Sequence, residues 1–246
     1  MSVVASSPDV GHPSTKENAK KVKPKLRGTL HQHAIFAALA AGPLLVAMAP
    51  TSEAKFSCAV YVASLASLFT ASAVYHRATW SPGARRLMKK IDHASIFLLI
   101  AGTYTPIAQL GLGGSLGRTL LMRVWVGAAA GILKSFFWVR APRVLSTSIY
   151  IGLGWIILPH AREVGAALGS CSSLLLVLGG LAYSIGGIAY AAHWPDPYPK
   201  VFGYHEVFHA LLPCARDIRS ETCASLCCTS SVLSSMHRDS PQLIAA

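Results

Sequence analysis

The sequence predicts an all-α membrane protein, a polytopic bundle of seven transmembrane helices. Hydrophobic residues make up 52% of the 246 residues and charged residues only 13%, which is far from the balance of soluble domains. Apolar segments of about 20 residues recur along the chain, the length that crosses roughly 30 Å of hydrocarbon. A chain of this size has too little interior to bury all of these segments, so we expect one membrane domain.

Each predicted span is an apolar stretch between charged or glycine- and proline-containing connections. Small residues are frequent in these stretches, as in Gly179-Gly180 and Gly186-Gly187, and they permit close helix packing in lipid. Six spans fall at residues 30–49, 56–76, 94–112, 120–139, 144–159 and 172–192, and a seventh candidate starts near His205.

The chain divides into three predicted regions. Residues 1–28 form a basic, disordered, cytosolic arm, residues 29–212 the transmembrane domain, and residues 213–246 an atypical tail. The tail begins where Pro213 and a charged run starting at Arg216 interrupt the seventh candidate. Such charges at mid-bilayer cost about 2.5–3.5 kcal/mol each on insertion scales. Two alternatives therefore stay open, a seventh helix that crosses the membrane and one that is re-entrant or interfacial.

Basic residues in the short connections predict the orientation. With the amino terminus inside, the outside loops hold little beyond Lys55, Arg118 and Arg162. We therefore expect a multi-pass protein with a cytosolic amino terminus. Topology also accounts for the formal charge of +12, and the chain has no basic-aromatic module, so we expect membrane lipids rather than nucleic acid as partners. No protein partner is indicated. The inside residues are Arg77, Arg85, Arg86, Lys89, Lys90, Arg140, Arg143 and Lys200.

Three sets of polar residues lie at the rims of the apolar segments, where polar side chains are costly. Ser72 and His76 share a helix face at the inner end of the second span, and Asp92 comes just as the third span begins. His205 and His209 share a face at the start of the seventh candidate. Because the second span runs inward and the other two start inside, all three sets reach the same depth.

The agreement in depth favours a metal site. Three imidazoles, from His76, His205 and His209, with the Asp92 carboxylate from a third helix, fit a zinc site with one open position. Each set taken alone also fits a rim side chain that water or a lipid headgroup satisfies. His93 lies about 100° around the helix from Asp92, so we interpret it as a structural or headgroup contact.

The same motifs resemble the hemolysin III family, which is related to the progestin and adipoQ (adiponectin) receptors. The resemblance covers roughly residues 27–212. It implies seven helices, a zinc ion held by His76, His205 and His209, a carboxylate at Asp92 that sits beside the metal, often through water, and a nearby serine at Ser72. It is carried by residues 72–76 (Ser-Ala-Val-Tyr-His), Asp92-His93, 100–106 (Ile-Ala-Gly-Thr-Tyr-Thr-Pro) and 202–209 (Phe-Gly-Tyr-His-Glu-Val-Phe-His).

Three functions follow as alternatives. The first is a zinc-dependent hydrolase of lipid amide or ester bonds, in which Asp92 orients or deprotonates water and Ser72 holds the developing oxyanion. The resemblance supports it, since the wider superfamily includes membrane ceramidases. The second is a receptor-like or signalling protein with a structural zinc. The third is the lytic activity implied by the family name, ranked last because no amphipathic insertion segment or charged pore ring is present.

Overall fold

The computed structural model describes residues 24–211, and the regular secondary structure of this part of the chain is helical, without a β-strand. A further helical stretch, α7, occupies residues 204–211. The predictions for residues 1–23 of the arm and for the tail at 213–246 lie outside the described residues. The other helices are α1 (Thr29–Met48), α2 (Ser52–Arg77), α3 (Pro82–Pro106), α4 (Gly114–Phe137), α5 (Arg143–Gly154) and α6 (Ala161–Ala192).

Five helical stretches among the described residues are long and apolar enough to cross a membrane. They are α1, α2, α3 with its continuation to Leu112, α4, and the run of α5 and α6. Large apolar side chains such as Phe36, Leu44, Met122 and Ile188 are exposed on the outside of the bundle, where lipid would cover them. The prediction of a multi-pass helical membrane protein is confirmed. The count of seven stays a prediction, because α7 is described only through residue 211.

Helix α3 begins at Pro82, well before the start predicted at residue 94. The Ser81 hydroxyl accepts a hydrogen bond from the Ala84 amide at 3.4 Å, and Pro82 takes the first helical position, where its missing N–H costs nothing. Hydropathy alone missed these turns because they carry charged residues. Asp92 consequently lies inside the helix and is buried, rather than standing at its start.

The later helices also differ from their predicted bounds. Beyond Pro106 the chain continues as a π-helical segment, Ile107–Leu112, after a proline that removes a backbone donor. The fifth predicted span corresponds to the shorter α5 followed by a 3₁₀ turn at Leu158–His160. The sixth corresponds to the second part of α6, which is broken at Gly169, where φ is 73° and glycine is favoured.

The core forms where α3 packs between α2 and α4. A Cβ atom at Gly102 would overlap the Ser64 hydroxyl of α2, and one at Gly131 would overlap the Phe97 ring. Glycine at both positions therefore permits the close helix approach that packing in lipid requires. The packing of α2 on α3 fixes the position of His76 relative to Asp92.

The turn before α1 joins the start of the chain to the segment before α7. The amide of Lys25 donates to the Lys200 carbonyl at 3.1 Å, and that of Leu26 donates to Val201 at 3.2 Å. Gly28 has a φ of 81°, and a Cβ atom added there would overlap the His76 Cβ. The described end of the predicted arm is thus part of the bundle, and it brings α1, α2 and α7 together at one end.

Candidate metal centre

Three histidines from two helices meet at this end of the bundle. His76 lies in the last turn of α2, and His205 and His209 are one turn apart on α7; their candidate ligand atoms all lie within 4.8 Å of one another. The Nε2 atoms of His76 and His205 are 3.2 Å apart. Two nitrogens at 2.0–2.1 Å from a tetrahedral zinc are separated by about 3.3 Å. The spacing of this pair therefore fits two ligands of one ion.

His209 supplies the atom that most directly indicates a ligand. Its Nε2 is buried and has no hydrogen-bond partner. Burying a polar nitrogen without a partner costs about 1–3 kcal/mol, and a bound metal ion would remove that cost. A set of imidazole ligands suits zinc and also other divalent first-row metals.

The structure adds a fourth histidine that the sequence analysis did not single out. His31, on α1, is only 1% exposed, and its two ring nitrogens lie 2.9 and 3.0 Å from Nδ1 of His209. A metal-ligating histidine almost always has its second nitrogen held by an outer partner. His31 occupies that position. A histidine inside an apolar helix is a recognisable signal, but hydropathy does not separate His31 from the exposed His33.

The structure also brings Asp92 and Ser72 into the same region, both buried and both facing the cavity that the histidines line. The Asp92 carboxylate lies within electrostatic reach of Ser72 and Lys89. The Ser72 hydroxyl makes no hydrogen bond of regular geometry. Among the described residues, the atoms at ligand spacing come from the three histidines and not from Asp92, which leaves the carboxylate free for an outer role.

Glu206 holds α7 in place between the two candidate ligands that this helix carries. It is completely buried, and its carboxylate pairs with the Arg27 guanidinium, with the second oxygen 3.4 Å from Nη2. It also accepts a hydrogen bond from the Gly203 amide at 2.9 Å, as a glutamate in the first turn of a helix does in a capping box. Glu206 thus ties the first turn of α7 to the turn before α1.

A cavity of about 950 Å³ surrounds the site. This is near the upper end of the roughly 300–1,000 Å³ typical of small-molecule sites. His93 lines it together with the tyrosines Tyr150, Tyr183 and Tyr190. Five basic residues and two acidic residues also line it, so the cavity carries positive charge as well as an aromatic wall: Arg27, Arg85, Lys89, Arg143, Lys200, Asp92 and Asp196.

The sequence was compared with protein families and with known proteins. The profile of the family described as "Haemolysin-III related" matches residues 19–216. The "Hemolysin-3 homolog" of Bacillus subtilis (strain 168) is 34% identical over 153 residues, 62% of this chain and 68% of that protein. "Hemolysin-3" of Bacillus cereus is 38% identical over 138 residues, 56% of this chain and 63% of that protein. The "Monocyte to macrophage differentiation factor" of Homo sapiens is 24% identical over 171 residues, 66% of this chain and 72% of that protein.

Proposed function

Because the chain belongs to the haemolysin III-related family of membrane proteins, we propose that it is a zinc-dependent hydrolase of lipid amide or ester bonds. The observation that carries the proposal is a set of three clustered histidines, one with an unpartnered buried nitrogen, beside a buried carboxylate in a large, partly apolar cavity. A site with three protein ligands leaves one position for chemistry, the arrangement of catalytic rather than structural zinc.

His76, His205 and His209 would hold the ion, and His31 would fix the orientation of the His209 ring. When bound there, zinc supplies a Lewis acid that polarises a carbonyl group and increases the acidity of water. The buried pair of Arg27 and Glu206 keeps the two ligands of α7 in register with the ligand of α2.

Asp92 and Ser72 perform the acid–base work. The Asp92 carboxylate orients a water molecule and accepts its proton as the water oxygen bonds to the acyl carbon. The Ser72 hydroxyl donates a hydrogen bond to the carbonyl oxygen as negative charge develops there. Asp92 then returns the proton to the leaving nitrogen or oxygen while the C–N or C–O bond breaks. The products are a carboxylic acid and an amine or alcohol.

We also propose that the amino terminus is cytosolic and that the site opens toward the cytosol. The basic residues that the positive-inside rule assigns to that side include Arg85, Lys89 and Arg143, which line the same cavity as the histidines. The cavity entrance and the cytosolic loops would then share one face.

The second candidate is a receptor-like or signalling protein in which zinc is structural. It is favoured by the way the histidines tie α2 to α7, since an ion bound there would contribute to folding. The two functions differ in what they require of Asp92 and Ser72, because a structural site needs neither side chain.

Purified protein in lipid nanodiscs, with its zinc content measured, tests the hydrolase and the structural-zinc proposals. It is incubated with a panel of acyl-amide and acyl-ester lipids, and released products are quantified by mass spectrometry. Hydrolysis predicts product release that Asp92→Asn lowers at least tenfold while zinc is retained. Glu163→Gln, an exposed carboxylate at the start of α6, is the matched control. Full zinc occupancy without product from any lipid would contradict hydrolysis and favour the structural role.

A further inference from the structure

The cavity beside the histidines has an excess of positive charge that the catalytic proposal does not use. Glu206 neutralises Arg27. The Asp196 carboxylate accepts a hydrogen bond from the Tyr204 amide at 3.0 Å, which commits one of its oxygens to the backbone. The other acidic residue of the lining, Asp92, is buried near the histidines.

Four basic residues of the lining therefore remain at the rim of the cavity, Arg85, Lys89, Arg143 and Lys200, and we call the first three, which lie on α3 and α5, the rim cluster. Among residues 24–211, none of the three forms a salt bridge with a carboxylate at contact distance. Arg85 and Arg143 are exposed and Lys89 is half-buried. A rim with these three cations would attract an anion.

Two members of the rim cluster, Arg143 and Arg85, contact neighbouring aromatic residues. The Arg143 guanidinium lies 5.5 Å from the centre of the Tyr190 ring and within 3.3 Å of the Tyr204 hydroxyl. The Arg85 side chain interacts with the Tyr75 phenol. The Lys89 ammonium is within electrostatic reach of Arg143. Like charges that line one cavity repel each other, and an anion bound among them would relieve that repulsion.

Membrane topology alone does not explain this arrangement. Arg86 and Lys90 belong to the same helix and contribute equally to the positive charge of the α2–α3 connection. The helix turns Arg85 and Lys89, four residues apart, toward the cavity, whereas Arg86 and Lys90 are not part of its lining. The positive-inside rule counts charges and does not select a helix face, so it does not account for the placement of Arg85 and Lys89 at the cavity.

Deeper in the cavity the lining becomes apolar and aromatic. Leu68, Ile96, Tyr150 and Phe208 line it beside the histidines. A ligand that uses the whole volume would have an anionic group at the rim and a hydrocarbon chain within. Phosphate is a suitable anion, because arginine and lysine donate short, charge-assisted hydrogen bonds to its oxygens.

We propose that Arg85, Lys89 and Arg143 bind the phosphate headgroup of a membrane lipid whose acyl chain occupies the apolar part of the cavity. The assignment deepens the proposed function by naming its substrate class, an acyl lipid with an anionic phosphate headgroup. Binding itself does not depend on hydrolysis. The rim cluster positions the headgroup, and the acyl linkage of the same lipid then reaches toward Asp92 and the histidines.

The test measures binding to the full-length, zinc-loaded protein that carries Asp92→Asn, so that the ligand is not consumed. The probes are lysophosphatidic acid, the monoacylglycerol and lysophosphatidylcholine with the same acyl chain, and inorganic phosphate alone. We expect lysophosphatidic acid to bind about tenfold or more tightly than the monoacylglycerol, an effect of the size that charge-assisted hydrogen bonds produce. Inorganic phosphate is expected to bind far more weakly, since it lacks the chain.

Matched double variants separate the rim cluster from general surface charge. Arg85→Gln with Lys89→Gln is expected to bring the affinities for the anionic and neutral probes close to each other. Arg86→Gln with Lys90→Gln removes the same charge from the same helix and is expected to leave the preference intact. Zinc content and thermal unfolding of both variants show that the bundle is preserved.

Each remaining outcome has one meaning. Equal affinity for lysophosphatidic acid and the monoacylglycerol would overturn the headgroup subsite. Inorganic phosphate that binds as tightly as lysophosphatidic acid would overturn the lipid assignment. An equal loss of preference in the Arg86 and Lys90 control would reduce the effect to surface charge and also overturn the proposal. A headgroup preference in a protein that releases no product from any lipid would overturn hydrolysis and leave the subsite standing.

Discussion

Nδ1 of His209 lies 2.9 Å from Nε2 of His31, so the ring whose other nitrogen is buried and unpartnered is held from behind by a second histidine. The two residues are 178 positions apart, on α7 and α1. His31 packs in turn against the ring of Phe69 on α2, with ring centres 5.1 Å apart. The first helix thereby contributes to a site whose candidate ligands come from two other helices.

The first prediction concerns this contact. His31→Ala should lower zinc affinity about 10–100-fold, the usual effect of losing an outer partner of a ligand. His31→Asn, which can still hydrogen-bond to His209, should recover part of it. His33→Ala, two residues away and exposed, is the control and should bind zinc normally. Competition against a fluorescent chelator gives the affinities, and unchanged binding in His31→Ala would show that the contact does not orient the ligand.

The second prediction concerns the ligands themselves. His76→Ala, His205→Ala and His209→Ala should each remove most of the bound zinc, because a site with three protein ligands tolerates little loss. Asp92→Asn should retain far more, since the carboxylate is not at ligand spacing. Metal analysis of the purified variants measures this. Zinc at wild-type level in all three alanine variants would rule out the site.

Part of this centre could be predicted from the sequence, because helix periodicity shows which residues share a face. Spacing of four residues put His205 and His209 on one face, and the alternation of inward and outward spans put His76 at the same end. His31 could not be found in the same way, since α1 is apolar nearly all round and gives no periodic face against which a buried histidine stands out. Glu206 was missed because its partner, Arg27, is 179 residues away.

The start of α3 was predicted too late for a different reason. Hydropathy locates lipid-facing sequence and not helix ends, so the charged turns between Pro82 and the predicted start were omitted. The serine cap and the proline at the first helical position do mark the start, as local signals that hydropathy does not weigh. Those turns carry two of the three rim residues, Arg85 and Lys89, and the ligand class could therefore be argued only from the structure.

The third prediction concerns the buried ion pair. Glu206→Ala leaves the Arg27 guanidinium without its partner and removes the acceptor of the Gly203 amide, so it should destabilise the protein by about 3–5 kcal/mol. Glu163→Ala removes an exposed carboxylate and should change stability by about 0.5 kcal/mol or less. Thermal unfolding in detergent at saturating zinc measures both. Equal unfolding temperatures of the wild-type and Glu206→Ala proteins would show that the ion pair contributes nothing to stability.

The fourth prediction concerns helix packing. Gly102→Ala places a methyl group onto the Ser64 side chain and should separate α2 from α3, at a cost of about 1–3 kcal/mol. Zinc affinity should fall with it, since α2 carries His76. The control is Gly152→Ala on α5, where a methyl group meets no atom within 4 Å and the change should be neutral or slightly stabilising. A Gly102→Ala protein as stable as the wild type would mean that the interface relaxes.

The last prediction concerns orientation, which the helices themselves do not specify. Position 83 lies in the first turn of α3, and position 163 at the start of α6; both are exposed. The chain between them contains α3 with its π-helical continuation, α4, and α5 with its 3₁₀ turn. The predicted topology counts each of these three stretches as one crossing, which puts the two positions on opposite sides. The positive-inside rule assigns position 83 to the cytosol.

In a protein whose native cysteines are replaced, Gly83→Cys should react with an impermeant maleimide only after the membrane is opened, whereas Glu163→Cys should react in sealed cells. The reverse pattern would put the rim cluster and the histidines on the outer face, where the headgroup ligand would have to come from the outer leaflet. Labelling of both positions from one side would mean that one of the three intervening stretches does not cross.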